Sequence, residues 1–141
     1  PGEHAMKKMS IRLMAVLLLT LPVAAQARVS YKACQERASI DSAQYPQRID
    51  KDTTITGVSC KQAEGRVIYV YDNKLDAPRS QLPKGAMKRK ALAIRSMLCT
   101  NPSLTALLKL VDMEYTFYDS ENKFIGTITN RIEDCGSQWH N

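Results

Sequence analysis

The sequence is poor in the groups that catalysis and membrane spanning demand. Only two of its 141 residues are histidine: His4, and His140 one residue from the end, where chain order is the exception. With no histidine inside the domain, Ser-His and Cys-His nucleophile pairs are excluded. There is no glycine-rich phosphate loop, no H-E-x-x-H helix and no EF-hand calcium loop. Glycine and proline are scarce, six each, which excludes collagen-like and low-complexity disordered chains. Long apolar runs are nearly absent too. The one example, Leu13 to Leu21, has nine residues, whereas a transmembrane helix needs about 20, so a polytopic membrane protein is excluded. Charge of one sign is in modest excess only, 20 Lys and Arg against 14 Asp and Glu. The length fits one domain with one modest core.

What is there begins with an export signal. Lys7, Lys8 and Arg12 form a basic region ahead of the Leu13–Leu21 run, and Pro22 ends that run. Ala25-Gln26-Ala27 then supplies an Ala-x-Ala cleavage pattern, with cleavage after Ala27. No cysteine lies near that site, which argues against a lipid-anchored lipoprotein. Residues 1–5 read as an expression scar, 6–27 as the signal peptide, and 28–141 as a single mature domain with net charge +4. The expected location is periplasmic or secreted, with no membrane anchor once the signal is removed.

Export gives the cysteines a role. Cys34, Cys60, Cys99 and Cys135 are even in number, and in an oxidising compartment two disulfides are expected. A zinc site would want C-x-x-C spacing or a nearby histidine, and neither is present. No metal and no cofactor is called for. Three pairings are possible. Cys34–Cys60 with Cys99–Cys135 is favoured, since each bridge then joins a helix to the end of a strand in the same half. Loops of that size would each contribute roughly 3–4 kcal/mol in the chain-entropy model, comparable with the net stability of a small domain.

Periodicity places the elements. Tyr31, Cys34 and Ala38 form a helical stripe from Ser30, a plausible N-cap, to about Gln44, with Pro46 forcing the stop. Thr53–Cys60 and Arg66–Asp72 are β-branched-rich strands joined by a hairpin loop, Lys61 to Gly65. The second of these has Val67, Tyr69 and Tyr71 on one face and Ile68 and Val70 on the other, so a central strand is expected. Asn73 to Gly85 reads as a long surface loop. A helix from about Gly85 to Cys99 buries Met87, Ala91, Ile94 and Leu98; Asn101-Pro102 breaks it and starts a short second helix with Leu104, Leu107 and Leu108. Alternation from Val111 to Tyr118, turn residues Asp119 to Asn122, and a return strand from Phe124 to Ile132 complete a hairpin. The expected fold is α+β: a small antiparallel sheet of about four strands covered on one side by two to three helices, order α-β-β-α-(α)-β-β, stapled by disulfides.

Three features could carry function. Lys84, Lys88, Arg89, Lys90 and Arg95 are the strongest charge cluster; they could dock an acidic partner, although a solvated helix face is the plainer reading. Interruption by Ala91, Leu92 and Ile94, together with export, disfavours nucleic acid. Tyr69, Tyr71, Tyr115, Phe117 and Tyr118 could form a recognition groove or simply the packed face of the sheet; Tyr118, out of phase with Tyr115 and Phe117, is the one expected to face outward. The pair Asp112 and Glu114, two apart on a strand, could act as acid and base, but reads better as the solvated face of a half-exposed strand.

The order of features also resembles a known family. Tyr45-Pro46, Ile49-Asp50, Thr53-Thr54, Gly57-Val58, Gly65 to Tyr71, Leu98-Cys99, Leu107-Leu108, Tyr115 to Asp119, Ile125-Gly126 and Asp134-Cys135 are similar to those of small exported Gram-negative proteins described as quorum-sensing-regulated virulence factors. The resemblance covers residues 30–135 and implies a compact secreted α/β domain with no established activity and no catalytic residue to carry over. The function expected is a non-catalytic exported interaction module, a virulence, secretion or conjugation accessory that binds a protein in the envelope or outside the cell. The alternative is a small periplasmic inhibitor of a hydrolase such as lysozyme.

Overall fold

The computed structural model describes the backbone of residues 28–140 and the side chains of 28–136. The expression-scar and signal-peptide assignments, residues 1–27, lie outside the described residues. Helix α1 (Tyr31–Asp41) begins where Ser30 caps it, its hydroxyl accepting from the Ala33 N–H at 3.1 Å. A 3₁₀ turn (Ser42–Gln44) carries the chain to a cis Tyr45–Pro46 peptide and the two-residue strand β1 (Gln47–Arg48). Strands β2 (Thr53–Ala63) and β3 (Arg66–Leu75) form a long hairpin. Helix α2 (Ala86–Thr100) follows, then α3 (Pro102–Leu108), whose N-cap Asn101 accepts from the N–H groups of Ser103 and Leu104 and is followed by proline at the first helical position. Strands β4 (Asp112–Tyr118) and β5 (Phe124–Asn130) form the second hairpin, and a 3₁₀ segment (Ile132–His140) closes the described chain.

The five strands lie in sequence order, β1-β2-β3-β4-β5, with β3 at the centre as its two apolar faces predict. The sheet is not wholly antiparallel. β3 and β4 pair in parallel, Tyr69 beside Met113 and Tyr71 beside Tyr115. The expectation of an antiparallel sheet fails there because α2 and α3 lie between those strands and supply the long crossover that a parallel pair requires. The strand count rises from four to five through β1, too short to leave a periodic signal.

Two expected loops are shorter than the residue types suggest. The Lys61–Gly65 loop is a two-residue turn, Glu64-Gly65, both at positive φ (54° and 73°), the geometry that matches strand twist in a tight hairpin. The expected Asn73–Gly85 loop starts later, because β3 continues to Leu75 with Asn73 and Leu75 both buried. Part of the remainder is a 3₁₀ turn, Arg79–Gln81.

Registers place Val67, Tyr69, Tyr71, Asn73 and Leu75 of β3 on the same face as Met113, Tyr115 and Phe117 of β4. All three helices pack on that face. Cys34 and Ala38 of α1 sit on Val67, Tyr69 and Val111, while Leu98, Cys99 and Leu108 of α2 and α3 sit on Leu75, Met113, Tyr115, Phe117 and Ile128. Leu98 and Leu108 are wholly buried, each stabilising by roughly 1.5–3 kcal/mol. The favoured disulfide pairing is the one present. Cys34–Cys60 ties α1 to β2 with Cα atoms 6.0 Å apart, and Cys99–Cys135 ties α2 to the closing 3₁₀ segment at 5.3 Å.

Candidate functional site

The helices leave part of the sheet uncovered. α1 lies over β2 and β3, α2 and α3 lie toward β4 and β5, and two hollows of about 560 Å³ each open between them. Their shared floor is aromatic because alternation on two adjacent central strands aims Tyr69, Tyr71, Tyr115 and Phe117 the same way. Tyr71 and Tyr115 stack at 4.8 Å with planes 15° apart, and Tyr69 tilts against Tyr71 at 5.0 Å. Tyr115 lines the first hollow and Tyr71 the second, so the stacked pair stands between the two hollows, which together are termed the groove. Its rim is apolar. Ile49 and Met97 border the first hollow and Leu107 the second, and each is between 44% and 48% exposed.

Charge distinguishes the two ends. At the first hollow Arg89 and Lys90 line the wall. Lys90 Nζ donates to the Thr53 hydroxyl at 3.1 Å, stands 3.5 Å from Asp52 and lies 6.0 Å from the Phe117 ring centre. Arg89 donates to the Lys84 carbonyl at 3.0 Å, across the left-handed Gly85 that opens α2. At the second hollow the Tyr69 hydroxyl donates to Asp41 at 2.6 Å, and Tyr45 stands alongside. Burial, then the hydrogen bond to Asp41 and its charge, pushes the Tyr69 hydroxyl above the ordinary phenol value, and burial with the Asp41 charge does the same to Tyr45. Burial likewise pushes Tyr71 up to about 12 and raises Tyr115. These hydroxyls remain neutral donors throughout the physiological range.

The five basic residues singled out by sequence do not act as one face. Lys84 lies ahead of α2, and it and Lys88 are exposed. Arg89 and Lys90 turn to the groove, and Arg95 faces Asp134 at 3.8 Å on the far side, beside the Cys99–Cys135 bridge. Tyr118 points away from the groove and meets Phe124 edge-on at 6.1 Å.

The reverse face of the sheet corrects another expectation. Asp112 and Glu114 are 0% and 6% exposed, not solvated. Asp112 is gripped by Arg66 (2.6 and 2.8 Å) and Arg28 (2.5 Å), with Arg131 at 3.7 Å. Glu114 pairs with Lys61 at 2.8 Å and accepts from Thr129 at 3.3 Å. Burial pushes the Asp112 carboxyl up, but the hydrogen bonds and charges of Arg66 and Arg28 outweigh it and hold the group below the ordinary carboxylate range. Neither carboxylate lines either of the two hollows on the helical face. Asp119, expected as a turn residue, is wholly buried and accepts from the N–H groups of Arg79, Glu121 and Lys123. Sequence reading did not identify Asp41, Tyr45, Ile49 or Met97 as groove residues. Their place depends on how the elements pack together, which periodicity does not show.

No protein-family model matches the chain, and no curated protein matches it in sequence. Solved structures do share its fold. A Pseudomonas aeruginosa protein inferred to be secreted aligns at TM-score 0.59 and 18% identity, over 74% of this chain and 91% of its own. The pilotin EpsS of the Vibrio vulnificus type 2 secretion system aligns at 0.60 and 12%, covering 74% and 90%. The type II secretion pilotin AspS of Vibrio cholerae aligns at 0.55 and 12%, covering 74% and 91%. At these identities the likeness is one of fold.

Proposed function

We propose that this protein is a non-catalytic, exported accessory of an envelope secretion machinery, acting by holding a segment of a partner protein in the aromatic-floored groove. The observation that carries the reading is the groove itself. It is a floor of stacked tyrosines with exposed Ile49, Met97 and Leu107 at its rim, on a small domain stapled by two disulfides. Large apolar side chains left half exposed around a concave site are characteristic of protein docking. An amphipathic segment suits the shape, with its apolar face down and its polar face outward. Arg89, with Lys88 and Lys84 nearby, would read acidic residues at one end of that segment, since like charges there would cost binding. The secretion context is supported by the fold shared with two pilotins and a protein inferred to be secreted. The hydrolase-inhibitor alternative gains no support from these neighbours.

A photo-crosslinking residue at Met97 or Leu107 tests the reading in cells. The expected result is a crosslink to one envelope protein of a secretion system, lost when the same residue is placed at Thr127 on the reverse face. K88E/R89E should weaken that crosslink. A crosslink equally strong from both faces would overturn the groove as the docking surface, and full retention of the crosslink by K88E/R89E would remove the basic wall from it.

A further inference from the structure

The second hollow is more polar than an apolar anchor requires. At its end the Asp41 carboxylate meets three tyrosines, Tyr45, Tyr69 and Tyr71, all bordering the same space. Both hydrogen bonds that reach Asp41 land on one oxygen: Tyr69 donates to Oδ2 at 2.6 Å and Arg37 Nε to Oδ2 at 3.3 Å. The other oxygen, Oδ1, is buried and accepts no hydrogen bond. An ionised carboxylate has about four lone-pair sites, and a buried oxygen without a donor is one that a further donor would satisfy. The Arg37 guanidinium stands 3.1 Å from Oδ1 without donating to it, on a side chain 69% exposed to solvent. A carboxylate with one oxygen lacking a hydrogen bond, in a hollow it shares with three tyrosines, is the chemistry of a cation receptor.

We propose that this end of the groove receives the Lys or Arg side chain of the docked partner segment, Asp41 supplying the countercharge, the tyrosines the walls, and Arg37 the resident cation that the incoming one displaces. The inference rests on the groove as a docking site and adds a direction to it. Arg89 marks the end that takes acidic residues, and Asp41 the end that takes a basic one, so a segment carrying both charges binds in one orientation only. Arg37 is the one cationic residue lining this hollow among the described residues, and its side chain can swing into solvent without uncovering the core. The raised pKa values of Tyr45 and Tyr69 agree with hydroxyls that must stay protonated beside the carboxylate.

The experiment titrates the intact protein with n-butylammonium, which has the length and charge of a lysine side chain, and with 1-butanol, its neutral counterpart. Binding is read from the ring resonances of Tyr45, Tyr69 and Tyr71. The expected result is saturable movement of all three with butylammonium and at least about tenfold weaker response to butanol, the loss anticipated for one charge-assisted hydrogen bond. D41N, whose amide oxygen can still accept from Tyr69, should weaken butylammonium by a similar factor. R37A should tighten it by about threefold or more, because the resident competitor is gone. If D41N proves unfolded by its thermal transition, R37A decides alone. Equal response to butanol and butylammonium, or no tightening in R37A, overturns the inference. Amine binding together with absent groove crosslinks would keep the cation site while rejecting the docking reading; crosslinks without amine selectivity would do the reverse.

Discussion

The helical face and the reverse face of the sheet are made by alternate residues of the same two central strands, yet they exclude water by different means. On the helical face α1, α2 and α3 pack against Tyr69, Met113, Tyr115 and Phe117 on either side of the groove, and burial is apolar. On the reverse face Ile68, Val70, Asp112 and Glu114 are nearly as buried, but long cationic side chains cover them: Arg28, Arg66 and Arg131 converge on Asp112, and Lys61 reaches Glu114. The heads of these side chains pair with carboxylates set in the sheet itself. The two plans have different vulnerabilities. An apolar face loses stability in proportion to the volume removed, whereas an ionic lid fails when one partner is lost and the rest remain buried and unpaired.

The largest expected effect follows from that difference. Asp112→Ala would leave Arg28 and Arg66 facing each other without their countercharge, and the expected loss is about 3–5 kcal/mol, read from urea unfolding at neutral pH. A loss below 1 kcal/mol would show that the ionic lid is not what stabilises the reverse face. The disulfides come next. Replacing Cys99 and Cys135 by serine should cost about 3–4 kcal/mol by loop closure. Replacing Cys34 and Cys60 should cost slightly less, because its loop separates 26 residues rather than 36. Thermal unfolding of the two double variants measures the comparison. A far greater loss at Cys34–Cys60 would show that α1, which packs chiefly against β2 and β3, depends on its bridge for docking.

How far each face was legible in the sequence divides along the same line. Alternation of Val67, Tyr69 and Tyr71 with Ile68 and Val70 identified β3 as central, and the helical stripe through Cys34 and the helix reaching Cys99 indicated which helix each bridge would hold. These are local periodicities with strong side-chain preferences. The reverse face was misread because Asp112 and Glu114 look like solvent-facing residues in a strand of period two. Their cations come from Arg28, Lys61, Arg66 and Arg131, between 19 and 84 residues away in sequence, and one sequence gives no sign of such pairing. The parallel β3–β4 register was hidden for the same reason: it depends on the path of α2 and α3, not on the strands. The groove was half legible. Its tyrosines were found, while Asp41 and Tyr45 were not, since their role depends on the 3₁₀ turn that ends α1 beside β3.

The smallest expected effect is also the one that separates the two faces most directly, because they respond to opposite ends of the pH scale. Asp112 has its folded pKa held below the ordinary carboxylate value, net of burial pushing it up and Arg66 and Arg28 pulling it down. Its contribution is therefore complete above about pH 4 and is lost as pH falls through the depressed folded value. Tyr71 behaves in the opposite sense. Burial, then Tyr45 and Asp41, raises its pKa to about 12, so the neutral phenol is the form that the fold favours. That contribution is complete below about pH 10, the unfolded value, and is lost as pH rises through 12. Tyr71→Phe removes the titrating hydroxyl but keeps the ring that stacks on Tyr115 at 4.8 Å. Its stability at pH 7 should change by no more than about 0.5 kcal/mol, while its urea midpoint at pH 11 should fall less, relative to pH 7, than that of the unmodified protein. Asp112→Asn should instead flatten the acid limb and leave the alkaline limb as it was. If Tyr71→Phe flattened the acid limb, or Asp112→Asn the alkaline one, the two faces would be energetically coupled through the strands they share, and the division between an apolar side and an ionic side would fail.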